Sequence, residues 1–210
     1  GHAVRATGRD GRVGEGIAAM GAEFIAADLE ARDAPARLCD GVGAVIHAAA
    51  RSASWGARAD FTDINVSATR RLLRHARAAG AERFLFISSP SIFAAWADRI
   101  GIGPGDAPTD PPLNIYAETK LAAERLVLAA DAPGFASAAL RPRAIVGQGD
   151  RVILPALAAA ARRRILPLPR GGRALIELTD VRDAARAALL ALGALPGIGG
   201  TAVNISGGKA

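Results

Sequence analysis

A tyrosine and a lysine lie four residues apart, at Tyr116 and Lys120. Tyr116 is the single tyrosine of the chain, and Lys120 is one of two lysines among 26 basic residues, the other being Lys209. Side chains with this spacing share one face of a helix. Because a neighbouring ammonium favours the phenolate, the spacing predicts a lowered pKa for Tyr116. Such a tyrosine can exchange a proton with a hydroxyl or carbonyl oxygen.

The residues around this pair predict the helix that it requires. Asn114 is a good N-cap residue, and Pro133-Gly134 ends the helical pattern. Two further hydroxyl groups, Ser88 and Ser89, follow directly after an apolar run. Either serine could hydrogen-bond a substrate oxygen, or both could simply be the polar end of a strand.

Predicted strands and helices alternate along the chain, which is typical of a parallel sheet flanked by helices. Strands are predicted at 3–7, 23–27, 44–46, 83–87, 136–140, 174–178 and 201–205, and helices at 13–20, 35–39, 60–79, from 114 onward, 154–163 and 181–192. Several strands are apolar on both faces, as buried parallel strands are. The predicted fold is therefore α/β, a doubly wound parallel sheet, in which ligands bind at the carboxyl ends of the strands. Four segments fall at those ends: Asp28-Leu29, His47 to Ala50, Ser88-Ser89 and Arg141-Pro142.

Composition argues against several classes of function. The length of 210 residues fits one large domain or one and a half small ones, and the hydrophobic half of the residues is ample for a core. The net charge of +6 comes from scattered arginines without interleaved aromatic residues. This distribution favours solvated helix faces over a nucleic-acid surface. No apolar run reaches the roughly 18–20 residues of a membrane span.

Cysteine and histidine usage is sparse. The single cysteine, Cys39, excludes an internal disulfide and fits a packed residue in a reducing, cytoplasmic compartment. The three histidines, His2, His47 and His75, are scattered, so no metal site is predicted.

The segment from Thr7 to Gly14 has two interpretations. It spells TGxxGxxG between a strand and a helix, with Asp28 following at a spacing close to that of a ribose-binding acid. Read literally, it is a dinucleotide-binding turn. The strand before that turn should be apolar on both faces, yet Arg5 lies in its middle. The favoured interpretation makes Val4 to Thr7 the second strand of the sheet, with the first βα unit absent from this sequence.

Taken together, these motifs resemble the extended short-chain dehydrogenase/reductase family over nearly the whole chain. The resemblance is carried by DL at Asp28, VIHxAA from Val45, NVxxT from Asn65, the set Ser89, Tyr116 and Lys120, and RPxxxxGxGD from Arg141. Ser89 to Ile92 and Trp55-Gly56 are most similar to the 3β-hydroxysteroid dehydrogenase-like branch, which includes 2-alkyl-3-oxoalkanoate reductases. Against that family, the sequence looks truncated at both ends.

The resemblance implies roles for individual residues. Tyr116 is expected to be the general acid in reduction and the base in oxidation, with Lys120 lowering its pKa and holding the nicotinamide ribose. Ser89 is expected to hydrogen-bond the substrate oxygen, with Ser88 as its rival. His47 is expected to pack at a strand end, and Asn65 either braces the site or caps helix turns. The implied cofactor-binding residues are Gly8, Arg9, Asp28, Leu29, Ala48, Ala49, Tyr116, Lys120 and Pro142.

Cofactor choice is predicted from the end of the second strand. NAD-binding proteins place an acidic residue there to bind the ribose 2′-hydroxyl. This sequence has Gly8 followed by Arg9, which leaves room for a 2′-phosphate and offers a guanidinium to bind it. The prediction is NADP, with NAD as the alternative.

The predicted function is an NAD(P)-dependent oxidoreductase that interconverts a secondary alcohol and a ketone on a steroid-like or acyl substrate. The alternatives are a nucleotide-sugar epimerase or dehydratase on the same scaffold, and a truncated, non-catalytic relative. Residues 1–143 are expected to form the Rossmann-like dinucleotide-binding domain, and residues 144–210 part of a substrate-binding portion. The expected partner is a small-molecule substrate, with a homodimer as a further possibility.

Overall fold

The computed structural model describes residues 2–53, 55–164, 169–195 and 197–208. The strands are β1 (Arg5–Gly8), β2 (Glu23–Ala26), β3 (Ala44–His47), β4 (Arg83–Ile87), β5 (Ala136–Pro142), β6 (Ile145–Val146), β7 (Thr179–Asp180) and β8 (Ala202–Ile205). The helices are α1 (Gly11–Ala19), α2 (Ala34–Cys39), α3 (Arg58–Phe61), α4 (Ala68–Ala78), α5 (Ile115–Leu128), α6 (Ile153–Arg162) and α7 (Val181–Ala194). Short 3₁₀ turns lie at Pro90–Phe93 and Pro169–Gly172.

All the pairings between these strands are parallel. The main sheet has the order β3-β4-β5-β8, while β1 pairs with β2 and β6 pairs with β7. In the doubly wound order 3-2-1-4, the first strand separates the second from the fourth. On the favoured interpretation, β1 is the second strand of that order and β3 is the fourth. The described strands leave a break between β1 and β3, which is where the first strand of the order would lie. The predicted Rossmann-like α/β fold is confirmed.

The main sheet is buried between helices on both of its faces. Phe84 and Phe86 of β4 point to one side, where they pack with Leu72 of α4 and Val127 of α5. Leu85 points to the other side, into a cluster with residues of α7. Because alternate residues of one strand are apolar on opposite faces, both faces must be covered, as predicted from the sequence.

The long helix predicted at 60–79 is continuous but irregular. It begins as α3, passes through a π-helical segment at Thr62–Ser67 and continues as α4. A π-helical turn inside an α-helix is frequent at functional sites. Here it carries Asn65, which is 1% exposed and faces the helix of Tyr116.

The strand predicted at 174–178 is wrong. The described backbone there pairs with no strand, and the pairing of β6 with β7 begins only at Thr179, directly after this segment. Because β6 is only two residues long, the ladder cannot extend back to Ala174. Leu175 and Ile176 are therefore largely exposed. No helix in the described residues is long and apolar enough to cross a membrane.

The environment of α1 opposes the literal phosphate-turn interpretation. The Asp10 carboxylate caps the helix by accepting a hydrogen bond from the Arg12 backbone at 3.0 Å. An acidic cap occupies the end where a pyrophosphate would bind. Gly14 has a different reason to be small, because a Cβ there would lie 2.2 Å from the Phe24 ring.

Candidate active site

A cavity of about 770 Å³ opens at the carboxyl ends of β4 and β5. It is bounded by the residues after β3, the start of α5 and the segment from Phe93 to Ile102. The predicted site residues that line it are Ala48, Ser89, Tyr116, Lys120 and Pro142, together with Ser88. The fold thus brings the three predicted catalytic side chains to one place.

Tyr116 lies in the first turn of α5, which begins at its predicted cap. The Asn114 side chain accepts a hydrogen bond from the Ala117 backbone at 2.8 Å. The Ser89 side chain lies beside the Tyr116 phenol in this cavity. Burial raises the pKa of Tyr116 above its ordinary value, and the neighbouring Ser89 hydroxyl opposes that rise. The predicted lowering of the Tyr116 pKa by Lys120 is therefore wrong in direction.

The position of the Lys120 ammonium explains why it does not lower the pKa of Tyr116. Its Nζ donates a hydrogen bond to the Ile87 backbone carbonyl at 2.6 Å and lies 4.0 Å from the centre of the Phe86 ring. The ammonium is therefore directed at β4. Burial lowers the pKa of Lys120 to about 7, against the opposing effect of Glu124. This lysine is 2% exposed, so its charge is carried inside the protein.

The two serines differ in their surroundings. Ser89 begins the 3₁₀ turn at Pro90, and its hydroxyl also accepts a hydrogen bond from the Ser91 backbone at 3.2 Å. Ser88 is fixed through its backbone, which donates to the Leu140 carbonyl at 2.6 Å. The Ser88 hydroxyl is buried, lines the cavity and has no partner among the described residues. An unpaired buried hydroxyl is costly, so it is a group that a polar ligand could satisfy.

Asn65 braces the site, which resolves the alternative left open by the sequence. Its amide exchanges two hydrogen bonds with the Arg51 backbone, accepting at 2.8 Å and donating at 3.2 Å. It also donates to the Thr119 hydroxyl at 2.9 Å. One side chain therefore ties the segment after β3 to the helix that carries Tyr116 and Lys120.

His47 is packed at the end of β3. Its Nε2 lies 2.8 Å from the Thr69 hydroxyl, which itself donates to the Asn65 carbonyl. Because that hydroxyl uses its proton on the carbonyl, His47 must be the donor in their bond. Burial lowers the pKa of His47 to about 3, and the nearby Lys120 charge adds to the effect. A neutral histidine held in this way is a packing residue.

Glu124 is a buried charged residue of the site that the sequence did not reveal. Its carboxylate receives two hydrogen bonds from Arg141, at 2.9 and 2.6 Å. The Arg141 guanidinium also donates to the Pro104 carbonyl at 3.1 Å and lies over the Phe93 ring. The pair therefore joins α5 and β5 to the loop that walls the cavity. Glu124 follows Lys120 by four residues, and this helical spacing was the only available signal.

The other predicted cofactor residues lie apart from this cavity. Gly8 ends β1, while Asp28 and Leu29 follow β2, so all three lie at neighbouring strand ends. A terminal nitrogen of Arg9 is 4.0 Å from an Asp28 carboxylate oxygen, and both side chains are exposed. Ala49 follows β3 beside the cavity-lining Ala48. The described residues contain no group of three or more histidine, cysteine or acidic side chains able to hold a metal.

Comparison with known proteins identifies the family. A profile of the NAD dependent epimerase/dehydratase family matches residues 1–206. The chain belongs to this family. The 2-alkyl-3-oxoalkanoate reductase of Stenotrophomonas maltophilia (strain K279a) is 36% identical over 195 residues, which are 90% of this chain and 59% of the relative. A human sterol-4-alpha-carboxylate 3-dehydrogenase, decarboxylating, is 31% identical over 172 residues, covering 80% of this chain and 46% of the relative.

Solved structures agree with this assignment. The structure of MoeE5 in complex with UDP-glucose and NAD superimposes with a TM-score of 0.78 at 26% identity, covering 99% of this chain and 77% of that one. This chain spans 59% of the length of the reductase that it matches. The resemblance to the extended short-chain dehydrogenase/reductase family, drawn above from motifs alone, is confirmed.

Proposed function

We propose that this protein is an NAD(P)-dependent oxidoreductase that interconverts a secondary alcohol and a ketone, with Tyr116 as its acid and base. The observation that carries this proposal is the placement of the Ser89 and Tyr116 hydroxyls beside each other in a cavity that Lys120 also lines. A hydroxyl pair of this kind can bind a carbonyl oxygen and deliver a proton to it. The nicotinamide, when bound, supplies or accepts the hydride.

The protonation states favour reduction at neutral pH. Because burial raises the pKa of Tyr116, the phenol keeps its proton and can donate it to the oxygen that develops negative charge. Ser89 holds that oxygen through its hydroxyl. Lys120 adds a positive charge to the floor of the cavity, where it stabilises developing negative charge. In the oxidative direction, Tyr116 accepts the proton of the alcohol.

Several residues fit a dinucleotide along the carboxyl edge of the sheet. Ala48, Ala49 and Pro142 offer small or flat surfaces near the cavity, where the unpaired Ser88 hydroxyl can meet a polar group. The adenosine end of the dinucleotide would lie at the strand ends that bear Gly8, Arg9, Asp28 and Leu29. We assign NADP as the preferred cofactor because Arg9 is 71% exposed and its contact with Asp28, at 4.0 Å, is too long for a hydrogen bond, so its guanidinium can bind a 2′-phosphate. On this assignment, residues 1–143 bind the dinucleotide and residues 144–210 belong to the substrate-binding portion.

The cavity supports an apolar substrate with a 3-oxo or 3-hydroxy group. Its apolar lining residues include Phe93, Ile100, Ile102, Ile145 and Ile153. Both named relatives act at a carbon next to one that bears a substituent, as 2-alkyl-3-oxoalkanoate and sterol-4-alpha-carboxylate indicate. A steroid-like or long acyl ketone is therefore the proposed substrate class.

A nucleotide-sugar epimerase or dehydratase is the second candidate, favoured by the similarity to MoeE5 with bound UDP-glucose. The two functions differ in whether the cofactor is consumed. The test follows the absorbance of reduced nicotinamide while the protein, at its natural length, is given either a 2-alkyl-3-oxoalkanoate or UDP-glucose. Stoichiometric oxidation of NADPH with the 2-alkyl-3-oxoalkanoate supports the proposal. Conversion of UDP-glucose without net change in the cofactor would replace it with the second candidate.

A further inference from the structure

Arg143 is a charged residue of the cavity that the proposed reaction does not use. It directly follows β5, and its backbone donates a hydrogen bond to the Ile205 carbonyl at 2.8 Å. Its side chain lines the same cavity as Ser89 and Tyr116 and is 37% exposed. The backbone is therefore fixed by the sheet while the guanidinium remains accessible from the cavity.

The guanidinium of Arg143 has unused donors. The one ion pair that it forms with a described residue is to Glu177, whose carboxylate lies 3.7 Å from Nε, beyond good hydrogen-bond distance. Its two terminal nitrogens donate to no described residue. A guanidinium presents its donors as a fork that matches a carboxylate with two parallel hydrogen bonds.

The other cations of the cavity are already occupied. Lys120 donates to the Ile87 carbonyl. Both terminal nitrogens of Arg99 donate to the Ala107 carbonyl, and its guanidinium lies over the Phe93 ring. Arg143 therefore differs from the other two because its forked end is available to a ligand.

We infer that Arg143 binds a carboxylate of the substrate while Ser89 and Tyr116 hold the reacting oxygen. The inference rests on the proposed oxidoreductase function and narrows its substrate class to apolar 3-oxo or 3-hydroxy acids that keep a free carboxylate. A bare fatty ketone, or an ester of the same acid, lacks the group that Arg143 recognises. Glu177 competes with the substrate for the same guanidinium, since both are carboxylates.

The test compares an acid with its own ester. A 2-alkyl-3-hydroxyalkanoate and its methyl ester are titrated by calorimetry into the protein at its natural length, in the presence and absence of NADP. The acid is expected to bind about tenfold more tightly than the ester, since a charge-assisted pair in a partly exposed site is worth about 1.5 kcal/mol. Arg143→Gln should abolish this preference and leave the affinity for the ester unchanged.

Two further variants separate recognition from general effects on the cavity. Arg99→Gln removes another cation of the same cavity and should keep the preference for the acid, whatever it does to both affinities. Glu177→Gln removes the competing carboxylate and should tighten binding of the acid by a few fold without changing that of the ester. A surface ion pair between Arg143 and Glu177 with no ligand role would predict no effect of Glu177→Gln on either compound.

The outcomes also separate this inference from the proposed function. Equal affinities of wild type for acid and ester, including no measurable binding of either, would overturn the assignment of Arg143. The same holds if Arg143→Gln keeps the preference for the acid. Turnover of neutral ketones without preference for acids would exclude the proposed role of Arg143 and leave the proposed oxidoreductase function standing. A preference for the acid that depends on Arg143, without turnover of any oxo compound, would support the proposed role of Arg143 and exclude the proposed oxidoreductase function.

Discussion

The Lys120 ammonium and the Ile87 carbonyl form a 2.6 Å hydrogen bond that joins α5 to the end of β4. The Tyr116 phenol, one helical turn earlier, lies beside Ser89 in the cavity. The lysine charge is thus fixed to the sheet at the floor of the cavity, and the phenol is left to meet the substrate. These two contacts define the active site proposed above.

The buried charge of Lys120 predicts a specific pH dependence of stability. Its folded pKa of about 7 lies below the ordinary value of 10.5. Between these values the unfolded chain binds the extra proton, so the contribution of Lys120 to the free energy of unfolding rises with pH. Lys120→Met should remove this rise. Urea unfolding of both proteins from about pH 7 to about pH 9 checks it, because most other side chains do not titrate there. Parallel curves for wild type and variant would contradict the assignment.

The buried pair between Glu124 and Arg141 predicts a large loss of stability when one partner is neutralised. Glu124→Gln leaves a buried guanidinium without its counter-charge and should cost about 3 kcal/mol or more. Glu118→Gln on the same helix is the matched control, since its pair with Arg58 is exposed and should be worth at most about 1 kcal/mol. Urea unfolding measures both. Similar losses for the two variants would show that burial does not distinguish the pairs.

Two glycines of α1 should respond oppositely to the same substitution. Gly14→Ala brings a methyl group into the Phe24 ring and should destabilise the fold by about 1–3 kcal/mol. Gly16→Ala meets no atom within 4 Å and should stabilise the helix by about 0.5–1 kcal/mol. Thermal unfolding of both variants checks the difference. A stabilised Gly14→Ala would mean that this glycine is not needed for packing.

The fold was predictable because its signals are local. Apolar runs such as 83–87 mark buried strands, and Asn114 marks the start of α5. The failed strand at 174–178 has the right residue types but no neighbouring strand to pair with, and pairing is a property of the tertiary structure. The π-helical segment at Thr62–Ser67 also left no signal, since its sequence is compatible with an ordinary helix.

The sequence indicates which residues meet in the candidate site but not the electrostatics of that site. Spacing singled out Tyr116 and Lys120, the strand end singled out Ser88 and Ser89, and the family resemblance favoured Ser89 over Ser88. The direction of the Tyr116 pKa was wrong because it depends on burial and on where the Lys120 ammonium points, which the spacing leaves undetermined. The contact of Arg141 with Glu124 spans 17 residues and two elements, so no local pattern reveals it.

The proposed preference for NADP predicts that Arg9→Ala lowers activity with NADPH and not with NADH. Arg9→Ala removes the proposed contact with the 2′-phosphate and should lower kcat/KM with NADPH by roughly ten- to a hundredfold, with little change for NADH. Arg12→Ala is a control on the neighbouring helix and should have a smaller effect. Steady-state kinetics of wild type, Arg9→Ala and Arg12→Ala, each at the natural length of the protein, measure these effects. Equal losses with both nucleotides, or a preference of wild type for NADH, would exclude this role of Arg9.

The role of Tyr116 as proton donor is tested most directly by Tyr116→Phe. The variant removes one hydroxyl and keeps the ring that packs in the cavity, so its melting temperature and its affinity for NADPH should match those of wild type. The measurement is the rate of NADPH oxidation with a 2-alkyl-3-oxo substrate under saturating conditions. A loss of about a hundredfold or more is the predicted result, since general acid catalysis contributes that much. Turnover within a few fold of wild type would contradict the proposed mechanism.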